Sequence, residues 1–372
     1  MTISIISVMR SRLQRLPFRR MLLLPVLAVL LSSCAGGPAN SSWPGLAVQD
    51  GVAYLAINNH VSAVDLSSGQ MKWQYPPKGK LEPTLLFYSN PLLDSKGKLV
   101  AGSYDGSILQ LDLATGNLVW RNTDNKKQIL GSILEGPDGN YYLSPENAGL
   151  LVVHPADGST VRSISLDGGS VWGVMAADSE RVYAATLEHK LFAIRVKDGV
   201  IEWTRDLETS VAGGVSLIDG KLYLGTFSNK ALALAAADGD TIWEVPAKGW
   251  VWQPPVVDGN IAYIVDVIGT LQAVSLNDGK VIWTVALEGA VQAPLVVADG
   301  TLYVGLQSGK VRAFSTTDGH SLWEQTLEGN VYGSLQVEGD RLLLTVLGAK
   351  YQLASLIRSS GAIQWTYAQP TE

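Results

Sequence analysis

Short apolar runs, each ended by a turn that contains glycine, follow one another along most of the chain. Between residues 251 and 287 the runs VWQPPVV, IAYIVDV, LQAVSLN and KVIWTVAL are separated by turns that contain DG, IGT and DG. An Asp-Gly pair between two such runs is typical of a β-hairpin, because glycine accepts the positive φ that the turn requires. The pattern therefore predicts a meander of four short antiparallel strands.

This four-strand unit recurs with one marker, a turn glycine followed four residues later by tryptophan, as in FAIRVKDGVIEW and QAVSLNDGKVIW. The turn glycines are spaced by 40 to 47 residues, a period typical of propeller blades, and they are Gly69, Gly116, Gly158, Gly199, Gly239, Gly279, Gly319 and Gly361. A lone sheet cannot bury both faces, whereas blades packed around an axis bury them. We predict an all-β fold, an eight-bladed β-propeller of four-stranded antiparallel blades, over residues 42–368.

The repeated tryptophans are predicted to be structural. Each follows the tight turn on the outermost strand, where the ring could cover the neighbouring blade and bury roughly 150–250 Å². A small residue earlier in the motif, such as Ala63 or Ala273, would leave room for the ring. We assign seven tryptophans to blade docking: Trp73, Trp120, Trp203, Trp243, Trp283, Trp323 and Trp365. The third copy has Arg162 at this position, so we expect the weakest docking there.

Composition and charge narrow the functional classes. The 372 residues are 47% hydrophobic and 17% charged, which suits a large core and excludes a disordered chain. The net charge is -6 and no basic run follows the N-terminal segment, so nucleic acid is not an expected partner. No nucleophile elbow, phosphate loop or Cys/His pair occurs, and we predict no catalytic residue and no enzyme. The histidines lack metal-ligand spacing, so no metal site is predicted at His60, His154, His189 or His320.

The N-terminus reads as an export signal. Five arginines between residues 10 and 20 precede the apolar segment Met21 to Leu31, which is too short to span a bilayer, and then LSSC. LSSC resembles the bacterial lipobox, which implies a signal peptide over residues 1–33, lipidation of Cys34, and a tether over residues 34–41. The alternatives are an ordinary signal peptide with a chance cysteine and a weakly matching twin-arginine signal. Cys34 is the one cysteine of the chain, so no disulfide can form within it.

One end of the predicted ring collects aromatic and basic residues. Aligned repeats give a column at the start of each innermost strand, formed by Trp43, Tyr88, Leu130, Trp172, Ala212, Trp252, Gln292 and Tyr332. The turn between the second and third strands lies at the same end and contributes Lys190, Lys230 and Lys310. Trp250 precedes the column and is expected to be exposed, whereas Trp252 is expected to be half-buried.

These aromatic and lysine residues are candidate ligand or partner contacts at the channel mouth, because rings offer large contact areas and lysines attract anions. An extended peptide, an aromatic ligand or an anionic polymer would suit such an end. The alternative is that the rings only fill the mouth and the lysines are ordinary turn residues. The opposite end is predicted to be acidic, with Asp157, Asp198, Asp238, Asp278 and Asp318 in one set of turns and Asp219, Asp258 and Asp299 in the other.

The repeat AVSLNDGKVIW and its copies resemble the tryptophan-docking repeat of pyrroloquinoline-quinone (PQQ) propellers over residues 43 to 367. Two branches share that repeat, the quinoprotein dehydrogenases and BamB, the lipoprotein B subunit of the outer-membrane β-barrel assembly machinery. The dehydrogenase branch implies adjacent cysteines, a calcium ion and a catalytic Asp, and this chain has a single cysteine. The lipobox and the catalytically bare blades resemble the BamB branch.

That resemblance implies a lipid-anchored, non-catalytic scaffold of the cell envelope without a cofactor, which docks protein partners and acts in membrane-protein assembly. The membrane would be reached through the lipid on Cys34. In a two-membrane cell Ala35 favours the outer membrane, and in a one-membrane cell the protein would face outward from the plasma membrane. No strand that completes the last blade precedes blade 1, so we expect the ring to close by face packing alone. The alternative function is a small-ligand or PQQ-binding propeller, sensory or redox, that uses the aromatic mouth.

Overall fold

A computed structural model describes residues 43–369 except residues 81 and 83, so the segments 1–33 and 34–41 and their Cys34 lie outside the described residues. The described residues form eight separate four-stranded antiparallel sheets, each with its strands in chain order. The predicted all-β, eight-bladed propeller is confirmed. Nowhere in this part of the chain does a helix occur that could cross a bilayer.

The first four blades take up the N-terminal half of the ring. Blade 1 consists of β1 (Gly45–Gln49), β2 (Val52–Ile57), β3 (His60–Asp65) and β4 (Met71–Tyr75). Blade 2 consists of β5 (Leu92–Leu93), β6 (Lys98–Gly102), β7 (Ile108–Asp112) and β8 (Leu118–Asn122). Blade 3 consists of β9 (Leu134–Glu135), β10 (Tyr141–Leu143), β11 (Leu150–Val153) and β12 (Thr160–Ile164). Blade 4 consists of β13 (Ala176–Ala177), β14 (Arg181–Ala185), β15 (Lys190–Arg195) and β16 (Ile201–Asp206).

The last four blades repeat this arrangement with nearly constant strand lengths. Blade 5 consists of β17 (Ser216–Ile218), β18 (Lys221–Gly225), β19 (Lys230–Ala235) and β20 (Thr241–Pro246). Blade 6 consists of β21 (Val256–Asp258), β22 (Ile261–Val265), β23 (Thr270–Ser275) and β24 (Val281–Ala286). Blade 7 consists of β25 (Val296–Ala298), β26 (Thr301–Gly305), β27 (Lys310–Ser315) and β28 (Ser321–Thr326). Blade 8 consists of β29 (Leu335–Glu338), β30 (Arg341–Thr345), β31 (Leu353–Ile357) and β32 (Ile363–Tyr367).

The first strand of each blade lies nearest the axis. β25 contacts β21 and β29, and β1 contacts both β29 and β5, so the innermost strands meet their neighbours around the ring. The second and third strands are buried almost throughout, whereas the fourth alternates between covered and exposed positions. Burial therefore decreases from the middle strands to the outermost strand. The middle strands are apolar along four to six residues because neighbouring blades cover both of their faces.

The repeated tryptophan of one blade lies over the turn glycine of the next. A Cβ on Gly116 would lie 2.4 Å from Trp73 Cε3, and a Cβ on Gly361 would lie 2.5 Å from Trp323 Cε3, so neither turn has space for a side chain. Six indole Nε1–H groups also donate to the carbonyl three residues before that glycine: Trp73 to Leu113, Trp120 to Pro155, Trp243 to Leu276, Trp283 to Thr316, Trp323 to Arg358 and Trp365 to Leu66. The predicted position of the rings across the blade interface is therefore correct.

The alanine of the motif faces the tryptophan directly across the third and fourth strands, as in the pairs Ala63–Trp73 and Ala273–Trp283. A buried tyrosine on the second strand lies beside the tryptophan of the same blade. The sequence analysis did not single out this tyrosine. Five such tyrosines lie with ring centroids 5.8 to 6.1 Å from the tryptophan of their own blade: Tyr54, Tyr183, Tyr223, Tyr263 and Tyr303. Their recurrence at one repeat position was the signal that could have revealed them.

Two interfaces depart from this scheme. In blade 3 the Arg162 guanidinium donates to the carbonyls of Val196 and Lys197, both at 3.2 Å, and its side chain covers Gly199 where other blades place a ring. In blade 4 Trp203 Nε1 is buried without a hydrogen-bond partner, and the Tyr183 hydroxyl lies 3.2 Å from the Ala236 carbonyl, the acceptor expected from the other blades. Weak docking at Arg162 stays a prediction, although the arginine preserves the hydrogen bond to the next blade.

The ring closes between blade 8 and blade 1 without a shared sheet, as predicted. Face packing alone, however, was too narrow an expectation. Trp365 covers Gly69 and donates to the Leu66 carbonyl at 2.9 Å, so this interface uses the same contact as the others. Near the axis, Gln336 Nε2 also donates to the Leu46 carbonyl at 2.8 Å.

Replacing Trp243 by Ala should lower the free energy of unfolding by about 3–5 kcal/mol, because the buried ring and its hydrogen bond to Leu276 are lost together. Urea denaturation followed by circular dichroism measures the change. Trp250, which is 49% exposed, is the matched control, and its replacement by Ala should shift the midpoint far less. Equal midpoints for the Trp243→Ala variant and the wild type would show that the ring does not hold the blades together.

The blade 3 interface should accept a tryptophan if room is made for it. Val152 faces Arg162 where most other blades have alanine, glutamine or serine, so Arg162→Trp alone should gain little. The double variant Val152→Ala/Arg162→Trp should gain about 1 kcal/mol through ring burial and a new Nε1–H bond to Val196. Melting temperatures of wild type, both single variants and the double variant check this. A double variant no more stable than Arg162→Trp would show that Val152 does not limit docking.

Candidate functional site

The strand register separates two ends of the ring. In blade 6, Asp258 pairs with Ile261 and Ile261 with Ser275, so the turn between the first two strands and the turn after the third share one end, the turn end. The other end, the mouth end, carries the turn between the second and third strands and the loop that enters each innermost strand. Gly45 pairs with Ala56 in blade 1, which places Trp43 at the mouth end.

A central cavity of about 800 Å³ opens at the mouth end and is lined by all eight blades. Seven of the eight column residues line it, namely Trp43, Tyr88, Leu130, Trp172, Ala212, Trp252 and Tyr332. Pro44, Pro254, Pro255 and Pro294 add further apolar surface, and none of the lining residues is charged. Alignment of the repeats thus brought the correct residues to one place. Whether they bind anything stays a prediction.

Small residues beside the column let the innermost strands come close together. A Cβ on Gly173 would lie 2.0 Å from the Gly213 carbonyl carbon, and one on Gly213 would lie 2.1 Å from the Trp252 carbonyl oxygen. A Cβ on Gly45 would similarly lie 2.1 Å from the Ser89 carbonyl oxygen. These glycines keep the channel narrow, so rings from several blades line a single cavity.

Trp250 lies outside this cavity in an aromatic cluster between blades 5 and 6. Its ring stacks on Phe227 with centroids 4.8 Å apart and planes 13° apart, and Trp252 tilts against the same Phe227 at 5.2 Å. Trp250 is 49% exposed and Trp252 is half-buried, as the sequence analysis expected. Ile268, which is 58% exposed, lies in the adjacent turn. The cluster therefore presents a fixed apolar surface at the rim of the mouth.

A buried carboxylate holds the loop that carries Trp250. Asp266 is fully buried, its Oδ2 accepts hydrogen bonds from the backbone N–H groups of Lys248 and Gly249, and its Oδ1 accepts one from Thr270 N–H. The sequence analysis missed both Asp266 and Phe227. Phe227 occupies the same repeat position as Tyr104, so a second aligned column would have found this pair of rings.

Tyr104 forms a smaller aromatic pair with Tyr88 on blade 2, with ring centroids 5.4 Å apart. Burial, and secondarily the neighbouring Tyr104, raises the pKa of Tyr88 above its ordinary value, so its phenol stays neutral at physiological pH. The polar groups at this part of the mouth are thus hydroxyls that can donate or accept hydrogen bonds without carrying charge.

Each of the three lysines expected at the rim is paired with a carboxylate at the same end, and their role as contacts stays a prediction. Lys190 Nζ lies 2.7 Å from Asp167 Oδ2, Lys230 Nζ 2.7 Å from Glu244 Oε2, and Lys310 Nζ 2.8 Å from Glu324 Oε1. Two of these partners, Glu244 and Glu324, lie on the neighbouring fourth strand, each two residues before the residue that directly faces the lysine. None of the three lysines lines the central cavity. These three lysines therefore offer little unpaired charge to an anionic polymer.

The Asp-Gly turns do gather at the turn end, as predicted, and several of their carboxylates are engaged locally. Asp198 pairs with Arg195 at 2.8 Å and Asp278 with Lys280 at 2.7 Å. The hydrogen bond from Lys280 is the main cause that lowers the pKa of Asp278 to about 2. This end therefore stays ionised and contrasts with the aromatic mouth end.

The cavity does not fit PQQ. That quinone carries several carboxylates, and a buried carboxylate requires cationic or hydrogen-bonding partners that the uncharged lining does not supply in sufficient number. Among residues 43–369, with the two gaps given above, no cluster of three or more His, Cys, Asp or Glu could hold a metal ion. The lining suits an uncharged, apolar or aromatic guest.

Comparisons with known proteins agree with the ring architecture. The structure of BamB from Moraxella catarrhalis matches with a TM-score of 0.68 and 17% identity, over 81% of this chain and 92% of that one. The computationally designed protein Ika8 matches with a TM-score of 0.68 and 12% identity, over 88% and 96% of the two chains. A europium-containing methanol dehydrogenase matches with a TM-score of 0.60 and 16% identity, over 84% and 81%. At these identities the likeness shows the fold alone.

Comparison at the level of sequence gives a more specific result than the likeness in fold. No curated protein sequence matches the chain. The family model described as "Outer membrane protein assembly factor BamB" matches residues 35–170, 193–289 and 268–372, which together cover most of the chain. Since that match extends over every blade, the protein belongs to the BamB family of outer membrane protein assembly factors.

Proposed function

We propose that this protein is a lipid-anchored, non-catalytic scaffold of the cell envelope that acts in outer membrane protein assembly. The observation that carries the proposal is the family match over residues 35–170 and 193–372. A propeller with rigid blades and two chemically different ends can hold several proteins in a fixed arrangement without any reaction of its own. The absence of a metal-ligating cluster among the described residues is consistent with that role.

Anchoring depends on Cys34, which follows Leu31, Ser32 and Ser33 in the lipobox-like segment. Acylation of this one cysteine would tether the ring to a membrane through residues 34–41. Ala35 follows the cysteine where an inner-membrane retention signal would have aspartate, so the outer membrane, facing the periplasm, is the proposed site. In a one-membrane cell the same anchor would hold the protein on the outer face of the plasma membrane.

The mouth end is the proposed recognition surface. Trp43, Tyr88, Trp172, Trp252 and Tyr332 surround the cavity, and Trp250 stands beside it on a rigid stack. Clustered, exposed aromatic rings on a soluble surface mark interaction sites, since such rings contribute large contact areas at low entropic cost. The paired Lys190, Lys230 and Lys310 would contribute to the rim through their ion pairs rather than through net charge.

A second candidate function rests on the cavity itself. Its volume of about 800 Å³ and its uncharged, aromatic lining would accommodate a small neutral ligand. This candidate would make the protein a ligand-binding module and does not require an enzymatic site.

The anchor is tested by metabolic labelling with radioactive palmitate in a Gram-negative host. The full-length protein should incorporate label and sediment with membranes, whereas Cys34→Ser should incorporate none and appear in the soluble periplasmic fraction. Ser33→Ala, which leaves the cysteine in place, is the matched control and should behave as wild type. Label on the Cys34→Ser variant, or equal soluble fractions for both proteins, would contradict lipidation at this residue.

The scaffold is tested by affinity purification of the full-length protein from detergent-solubilised envelopes. Components of the outer-membrane β-barrel assembly machinery should co-purify in stoichiometric amounts. Purification without any protein partner, under several detergents and salt concentrations, would contradict the proposal.

The quinone alternative is tested on the same protein by titration with PQQ, followed through tryptophan fluorescence. We expect no saturable quenching, because the lining offers no cation. Saturable quenching that disappears in Trp172→Ala, Trp252→Ala and Tyr332→Ala would instead establish a quinone site at the mouth.

A further inference from the structure

The two ends of the ring differ most in their exposed aromatic rings. Of the large hydrophobic residues exposed among the described residues, six lie at the mouth end: Trp43, Tyr104, Trp172, Val174, Trp250 and Ile268. The others lie on or beside the fourth strands and are spread over all eight blades: Met71, Leu118, Val119, Val161, Val200, Ile242, Val281, Ile282, Leu322 and Ile363. The residues on the fourth strands are exposed because side chains on these outermost strands alternate between covered and exposed positions. The residues at the mouth end include every exposed aromatic ring among the described residues.

We infer that the mouth end rests on the headgroup interface of a lipid bilayer, with Trp43, Trp172 and Trp250 in contact with lipid. This inference rests on the proposed anchoring of the protein through Cys34 and names the partner of the proposed recognition surface. Protein partners would then bind the outermost strands of the blades and the turn end.

The chemistry of the exposed rings suits that interface. Indole and phenol groups combine an apolar body with a polar N–H or O–H, and they concentrate where hydrocarbon meets water and headgroups. At the mouth, Trp43 and Trp250 are each 49% exposed and Trp172 is 38% exposed, while Ile268 adds an aliphatic side chain at 58%. A ring of such residues around an opening offers a broad contact that a flat bilayer surface can cover at several points.

Chain connectivity brings the same end towards the membrane. Trp43 is the first described residue and lies at the mouth. Cys34 precedes it by nine residues, which span at most roughly 30 Å when fully extended. An anchor at Cys34 therefore limits how far Trp43 can stand from the bilayer, and it sets no comparable limit on the turn end.

The charged residues at the mouth end do not favour a membrane contact that is driven by electrostatic attraction. Three lysines of the mouth end, Lys190, Lys230 and Lys310, are paired with Asp167, Glu244 and Glu324, so these three provide little excess charge to attract anionic lipid. At the turn end, carboxylates such as Asp198 and Asp278 are likewise paired, with Arg195 and Lys280. Contact through the mouth end should accordingly form on zwitterionic lipid and should survive high salt.

The test uses the chain from Cys34 onward, which contains every described residue, coupled through its one thiol to a maleimide lipid in phosphatidylcholine vesicles. Vesicles with brominated acyl chains quench tryptophans that reach the bilayer. The wild type should lose at most about three-elevenths of its emission relative to unbrominated vesicles, since three of the eleven tryptophans are exposed at this end. High salt should leave the loss unchanged.

The triple variant Trp43→Phe/Trp172→Phe/Trp250→Phe removes the reporters and should abolish the quenching. Trp203→Phe, which changes a docking ring whose Nε1 makes no hydrogen bond, is the matched control and should leave it intact. Quenching retained in the triple variant would show that another face meets the bilayer. Coupled protein that floats with the vesicles without any quenching would show that the ring stands away from lipid, and either result overturns the inference.

Chemical coupling keeps these outcomes separate from the proposed anchor. A failure of palmitate labelling at Cys34 would refute lipidation in the cell while the vesicle experiment still reports which end contacts lipid. Quenching that disappears at high salt would identify a charge-driven contact and would also overturn the inference as stated.

Discussion

Contact between an indole ring and a glycine on the next blade determines the geometry of the whole ring. The glycine turns have positive φ and no Cβ, so the ring can lie against the backbone, and its Nε1–H reaches a carbonyl of the same turn. A side chain at that position would push the outer edges of the blades apart. Each blade is a separate sheet, and the innermost strands of blades 4 and 5 are joined only by an isolated bridge between Val174 and Gly214. The indole contact therefore fixes the distance between the outer parts of the blades.

That spacing in turn creates the central cavity. Residues as distant in sequence as Trp43 and Tyr332 line one opening because eight similar interfaces bring the chain back to its starting point. Close approach of the innermost strands at Gly173 and Gly213 then narrows the channel until rings from different blades share it. The chemistry of the mouth is therefore a consequence of packing at the perimeter and of glycine near the axis.

Periodicity made the architecture predictable. A repeat of about 40 residues fixes the number of blades, and the aligned column of Trp43, Tyr88, Trp172, Trp252 and Tyr332 marks the cavity, because equivalent repeat positions occupy equivalent places in a ring. Pairwise chemistry was not predictable in the same way. The partner of Lys230 is Glu244, fourteen residues away on the facing strand, and only the strand register shows that they meet.

The sequence analysis failed at residues that fill a structural role with a different side chain from the one in the other blades. Arg162 replaces a ring with two hydrogen bonds to the same turn, and sequence alone suggested only a missing tryptophan. Asp266 escaped notice because no other blade has a carboxylate at its repeat position, whereas Phe227 shares its position with Tyr104 in a column that was not aligned.

The interface between blade 8 and blade 1 has no distinguishing feature in its main contact, since Trp365 meets Gly69 as the other rings meet their glycines. A topological freedom follows. If residue 369 were joined to residue 43 by a linker like those between other blades, and the chain were opened at a different loop, all eight interfaces would persist. The ring is thus circularly permutable in principle, and the blade with which the gene begins is independent of the arrangement in space.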